Sequence, residues 1–205
     1  MYRLAPGLEL ILASASPRRR ELLAQVGLEF RVEPSAAPEE LLPGEDAAAA
    51  AVRLAAEKAR WVAREVAARY PAEGRVILAA DTLVEAGGEI MGKPRDGAQA
   101  REMLGRLSGA WHRVVTGFHL IHAGGETGEV VATRVRFRRL LPGEITAYLA
   151  SGEPMGKAGA YAVQGKGAAL VAEVAGSYAN VVGLPLARVV EILLTLGLAR
   201  PAREG

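Results

Sequence analysis

Apolar and polar positions along the 205-residue chain switch between strand-like and helix-like periods, and the switches mark its elements. Residues 8–13 are a short, mostly apolar run, which predicts a buried strand. Ser16 then occupies an N-cap with Pro17 at the first helical position, and a helix is predicted to about Gly27. Residues 30–33 read as another strand and residues 34–43 as a Pro/Glu-rich loop. Glu45 and Asp46 open a long Ala-rich helix predicted to about Tyr70, with Pro71 beyond its end. Residues 75–80 form a second buried strand ending on Asp81-Thr82, and residues 83–91 a hairpin around Gly87-Gly88. Residues 97–107 have helical spacing, while residues 111–122 and 129–139 alternate as long antiparallel strands around Gly124-Gly125. A short helix (142–151), a strand (168–174) and a last helix (186–196) complete the pattern, and the tail from Ala199 is expected to fray.

Strands alternating with helices around a central antiparallel hairpin predict an α/β fold on a mixed, twisted sheet. Residues 1–198 are expected to form a single domain and residues 199–205 the frayed tail. No apolar run approaches the roughly 18 residues that cross a membrane. The N-terminal run is short and leads straight into a capped helix, unlike a signal peptide. Cysteine is absent, so disulfides and thiolate metal sites are excluded, and a cytoplasmic setting is expected. A net charge of +2, with no basic run longer than residues 18–20, favours a solvated surface over a stable nucleic-acid interface.

The run LASASPRRRELL, residues 12–23, breaks a local rule. A helix N-terminus is the positive end of the dipole and favours acids, yet Arg18, Arg19 and Arg20 fill this first turn. A strand followed by a capped helix also offers free backbone N–H groups, a ready anion site. Leu22, Leu23 and Val26 define the buried face at helical spacing; Arg19 lies near its middle, Arg18 at its border, and Arg20 points away. Arg18 and Arg19 are therefore expected to face a cleft and Arg20 the solvent; the alternative is three solvated arginines.

Asp81 follows an apolar strand, where a carboxylate is costly unless it is paired or functional; metal ligation and general-base work both suit it, as does an ordinary turn. Gly87-x4-Gly92-Lys93 nearly matches a P-loop, but Pro94 replaces the required Ser/Thr; Lys93 remains a candidate phosphate-binding cation. Lys58 falls near the apolar half of the long helix, so it either snorkels past the core or points at an anion. Only four of the 25 basic residues are lysines: Lys58, Lys93, Lys157 and Lys166. Glu39 and Glu40 are loop acids, and Gln164 stands among glycines with a donor and an acceptor suited to a base edge. The spacing of His112, His119 and His122 argues against a metal trio.

Five stretches, LASASPRRRELL, VRLAAEKA, AADTLVEAGGEIMGKPRD, KAGAYAVQGKGA and GSYANVVGLPL, resemble in order the signatures of the Maf family of nucleoside triphosphate pyrophosphatases, from about residue 10 to 196. The resemblance implies an elongated, two-lobed α/β fold of the Maf/inosine triphosphatase-like kind with a cleft between lobes. It implies hydrolysis between the α- and β-phosphates with a divalent cation, Mg²⁺ or Mn²⁺, a house-cleaning role, a link to septum formation and cell division, and in many members a homodimer. Residue by residue, it makes Asp81 the catalytic proton acceptor, Lys58 and Lys93 the family lysines, and Glu39 a metal ligand, although Pro38 departs from the family's acidic pattern. Arg18, Thr82 and Gln164 are similar to the branch acting on dTTP and UTP rather than on 7-methyl-GTP.

The expectation is therefore a cation held by Asp81 and Glu39, with Arg18, Arg19, Lys58 and Lys93 neutralising the triphosphate and Ser14 and Ser16 hydrogen bonding to it. Asp81 acts either as base or by orienting metal-bound water. The rival is a non-catalytic nucleotide- or nucleic-acid-binding regulator of cell division.

Overall fold

The computed structural model describes residues 1–67, 69 and 74–202; Tyr70, Pro71 and residues 203–205 of the expected tail lie outside them. In chain order come β1 (Tyr2–Leu4), β2 (Glu9–Leu12), α1 (Pro17–Gln25), β3 (Arg31–Val32), α2 (Ala47–Val66), β4 (Arg75–Ala86), β5 (Glu89–Met91) and α3 (Gly97–Leu107). They are followed by β6 (Trp111–His122), β7 (Gly125–Phe137), α4 (Pro142–Ala150), β8 (Val171–Ala175), α5 (Tyr178–Val182), α6 (Leu186–Thr195) and β9 (Ala199–Pro201). The main sheet runs β3-β2-β4-β6-β7-β8, with β5 hairpinned onto β4. β2 is parallel to β3 and β4, and the remaining pairs are antiparallel, so this is the α/β fold on a mixed sheet that the pattern predicts. Among the described residues no helix is long and apolar enough to cross a membrane.

Strand parity sorts the core onto two faces. Leu10 and Leu12 of β2, Val76 and Leu78 of β4, and Phe118 and Leu120 of β6 pack into the larger core with α1, α3 and α6. Ile11, Ile77 and Ala79 face the other way, against Ala59, Val62 and Val66 of α2. Further along the same face Leu83 and Val115 meet Ala47, Ala50 and Ala51. The small side chains of α2 let it lie close to the sheet. At Gly117 of β6 a Cβ would overlap the backbone of Ala51 and Val52, so glycine is required by this approach.

Four expectations differ from the structure. β4 does not end at Asp81: it continues to Ala86, because the ladder to β6 is unbroken, with Asp81 opposite Gly117 and Thr82 opposite Thr116. Residues 168–170 are not strand but the end of a 3₁₀ segment, Gly165–Leu170, entered through Gly165 at φ +66°; β8 starts at Val171. The strand expected from residue 129 begins four residues earlier, at Gly125. Ala199–Pro201 do not fray: β9 pairs with β1, and the Ala202 amide donates to the Met1 carbonyl at 2.8 Å. Among the described residues the backbone of β1 has no partner in the main sheet, and the β1–β9 pairing satisfies both strands.

Candidate active site

A cleft of about 440 Å³ opens where the loop after β2, the middle of β4, α2, residues 156–163 and α5 meet. Nine of the ten site residues expected from the sequence line it: Ser14, Ser16, Arg18, Arg19, Glu39, Lys58, Asp81, Thr82 and Lys93. Gln164 does not; it stands at the N-cap of the Gly165–Leu170 segment, while its neighbour Val163 lines the cleft.

Local structure explains one end. Asp81 shares its parity with Ile77, Ala79 and Leu83, so it points to the α2 side of the sheet. Lys58 lies in the buried stripe of α2 that also carries Leu54, Ala55 and Val62. The glycine opposite Asp81 brings that helix close enough for the Lys58 Nζ to donate to Asp81 Oδ1. The same Nζ donates to Glu39 Oε1 at 2.6 Å, and Lys93 Nζ donates to Glu39 Oε2 at 2.7 Å. Burial alone would raise the Glu39 carboxyl, but the two lysine hydrogen bonds outweigh it and hold it down at about 2. Two carboxylates thus share one ammonium, and a second cation stands at the rim.

The other end is built by α1. Its first turn contains no acid, and the Ser16 side chain makes no cap bond although Ser16 is the N-cap residue. Arg19 does not reach solvent as a free cation: Nε donates to the Gly183 carbonyl at 2.7 Å, and the terminal nitrogens donate to Ser14 Oγ at 3.0 Å and Thr82 Oγ1 at 3.2 Å. Burial lowers its pKa, opposed by the charges of Asp81 and Glu39. Arg18 is half-buried on the cleft wall and, among the described residues, makes no hydrogen bond or ion pair, while Arg20 is exposed. The picture of three solvated arginines therefore fits Arg20 alone.

The sequence reading missed the support behind this end. Thr82 Oγ1 lies 3.0 Å from Thr116 Oγ1, which donates to the Asn180 carbonyl; the Asn180 amide donates to the Val114 carbonyl and to Thr133 Oγ1. Ser177 caps α5 by accepting from the Asn180 amide nitrogen. Gly183, at φ +132°, ends α5 and turns its carbonyl to Arg19. The polar Ser177 and Asn180 in an otherwise small and apolar stretch were the available signal. Lys157 and Tyr161 also line the cleft without having been expected there. Behind Tyr161, its hydroxyl lies 2.8 Å from Nε2 of buried His112. His119 pairs instead with Glu126, far along β6 from His112.

The comparisons with known proteins agree with this geometry. The model of the family described as Maf-like protein matches residues 9–196. A relative from Myxococcus xanthus named dTTP/UTP pyrophosphatase is 54% identical over 95% of this chain and 95% of its own length. Relatives of the same name from Geobacter metallireducens and Syntrophotalea carbinolica are 53% and 51% identical, over 92% and 93% of this chain and 96% and 86% of their own lengths. The cleft residues and a match spanning nearly the whole chain lead to one conclusion: this chain belongs to the Maf-like protein family.

Proposed function

We propose that the chain is a nucleoside triphosphate pyrophosphatase that hydrolyses dTTP and UTP to the monophosphate and pyrophosphate, cleaning the cytoplasmic nucleotide pool. The observation that carries the reading is the pairing, in one cleft, of an acid–lysine cluster (Asp81, Lys58, Glu39, Lys93) with an arginine-bearing helix start. A protein that only tracked a phosphate backbone would not need two carboxylates beside its cations. The relatives' shared name supports dTTP and UTP as substrates.

The donor set suits a hard divalent cation. Asp81 and Glu39 already share the positive charge of Lys58, and both supply oxygen ligands. Among the described residues no three metal-ligating side chains cluster, so phosphate oxygens and water would complete the sphere of an Mg²⁺ or Mn²⁺ ion held by Asp81 and Glu39. When bound, such an ion neutralises phosphate charge and makes water more acidic.

The chain's own residues do the rest. Arg18, Arg19 and Lys93 neutralise the triphosphate, and the Ser14 and Ser16 hydroxyls hydrogen bond to it. With Lys58 fixing Oδ1, the Asp81 carboxylate orients the attacking water, either as its proton acceptor or as a ligand of the ion that would make it more acidic. The water oxygen bonds to the α-phosphorus, the bond from that phosphorus to the bridging oxygen breaks, and pyrophosphate departs. Most of the acceleration comes from positioning and fixed charge. Thr82 and Gln164 contribute to pyrimidine preference; Gln164 acts through the segment that carries Val163 and Tyr161 into the cleft.

The test is pyrophosphate release across a panel of nucleoside triphosphates with Mg²⁺ or Mn²⁺. Turnover of dTTP and UTP, lost on adding EDTA, is expected. Release from purine nucleotides alone, or none at all, would overturn the proposal.

A further inference from the structure

We propose that Lys157 is a further phosphate-binding residue, which with Arg18 holds the triphosphate of the substrate and the pyrophosphate product; the inference rests on the pyrophosphatase reading above. Five cations line the cleft: Arg18, Arg19, Lys58, Lys93 and Lys157. Their charges are not equally available. Glu39 and Asp81 neutralise Lys58 and Lys93, and Arg19 is tied to three oxygens of the protein. Arg18 and Lys157 remain as neighbouring like charges with no carboxylate bonded to either; Arg19 also lacks a carboxylate partner, but its donors are occupied, so Arg18 and Lys157 keep both charge and free donors for an anion.

The Lys157 ammonium donates to the Glu153 carbonyl at 2.5 Å, which uses one of its three donors. Burial, and then the charge of Arg18, lower its pKa, with the charge of Glu153 opposing them. A cation held at such a cost is stabilised by an arriving polyanion, which here would take the two remaining donors. The segment that presents it is firmly held. The Glu153 carboxylate accepts from the Lys166 and Gly167 amides at 3.0 and 2.8 Å and from the Tyr148 hydroxyl at 2.9 Å. Ala160 adopts φ +59°, a left-handed backbone that a non-glycine residue keeps only where its surroundings impose it. Composition points the same way. In a chain that uses arginine for most of its cations, three of four lysines line this cleft, and the fourth, Lys166, is exposed. Lysine presents a compact charge with rotatable donors, which suits phosphate oxygens.

The alternative is that Lys157 merely tethers its own loop through the Glu153 carbonyl, and the experiment separates the two. In the full-length protein, Lys157→Gln is expected to raise the KM for dTTP and the inhibition constant of inorganic pyrophosphate together, by about tenfold or more. Lys157→Arg should recover most of that loss, and Lys166→Gln should change neither constant. An inhibition constant for pyrophosphate within twofold of wild type in Lys157→Gln would overturn the proposal, and a lowered melting temperature alongside it would establish the tether. If Lys157→Gln does not fold, Lys157→Met keeps the aliphatic stem and is judged by the same constants. Calorimetry with inorganic pyrophosphate reads Lys157 without turnover. A wild-type protein that binds pyrophosphate but hydrolyses no dTTP would thus refute the pyrophosphatase reading separately, while Lys157 is still decided by pyrophosphate affinity.

Discussion

Lys58 of α2 and Asp81 in the middle of β4 form an ion pair whose side chains are only 8% and 10% exposed. The pair joins α2 to β4, whose middle lines the cleft. Removing the cation leaves a buried carboxylate with its principal partner gone, so Lys58→Met should destabilise the fold by about 3–5 kcal/mol in denaturant titrations. Asp81→Asn keeps a hydrogen-bonding group in place and should cost less. Both should reduce kcat for pyrophosphate release by at least about a hundredfold. Near wild-type turnover in Asp81→Asn would remove Asp81 from the mechanism.

The three arginines at the start of α1 should separate cleanly. Arg19→Ala leaves the Gly183 carbonyl with only the long bond from Thr82 Oγ1 and loosens Ser14 and Thr82, so it should lose about 1–3 kcal/mol of stability as well as activity. Arg18→Ala has no such bonds to lose and should raise KM while the melting temperature holds. Arg20→Ala should stay within about 0.5 kcal/mol of wild type and keep its kinetics. Thermal melts and steady-state kinetics on the three variants check the order, and a large kinetic effect at Arg20 would contradict the helix-face assignment.

Gly117→Ala tests the close approach of α2 to β6. The added methyl meets the backbone of Ala51 and Val52, which cannot rotate away as a side chain would. The expected cost is about 3 kcal/mol or more, at the upper end of overpacking effects. Because the displaced helix carries Lys58, activity should fall further than stability at temperatures where the variant remains folded. A folded, fully active Gly117→Ala protein would show that α2 can retreat without moving the site.

Buried His112 gives the fold an acid-sensitive element. Desolvation lowers its pKa from 6.5 to about 4, and its Nδ1 is buried with no hydrogen-bond partner among the described residues. Between those values the unfolded chain binds a proton that the folded chain does not. This group's contribution is therefore fully present above about pH 6.5, is lost as pH falls toward about 4, and is level below that. The full span is roughly 3 kcal/mol. Denaturation midpoints at a series of pH values should show this loss, and His112→Phe should flatten it. An equal pH slope in that variant would assign the effect to other groups.

Much of the fold was legible because its elements follow local rules. The Asp46 cap, the 3.6-residue stripe of α2 and the run of α3 were read within a few residues of where they lie. The misreadings share a cause. Asp81-Thr82 looked like a strand end because polar residues usually stop a buried strand, but backbone pairing with β6 carries β4 through them. Residues 199–201 looked like a tail because their partner, β1, is nearly two hundred residues away in sequence. In the site, the expected cations and acids do share a cleft, yet Gln164 stands behind its lining and Lys157 within it.

By itself the sequence determined the periods, the caps and which side chains carry charge, since these depend on neighbours within about one helical turn. It therefore also determined that Arg19 would turn inward and Arg20 outward. Only the tertiary structure decided which charges are neutralised. Lys58 meets Asp81 because Gly117 lets a helix approach the sheet, Lys93 meets Glu39 across two loops, and Arg18 is left beside Lys157. Electrostatic partnership depends on distance through space and on burial, and neither is encoded in any single stretch of the chain.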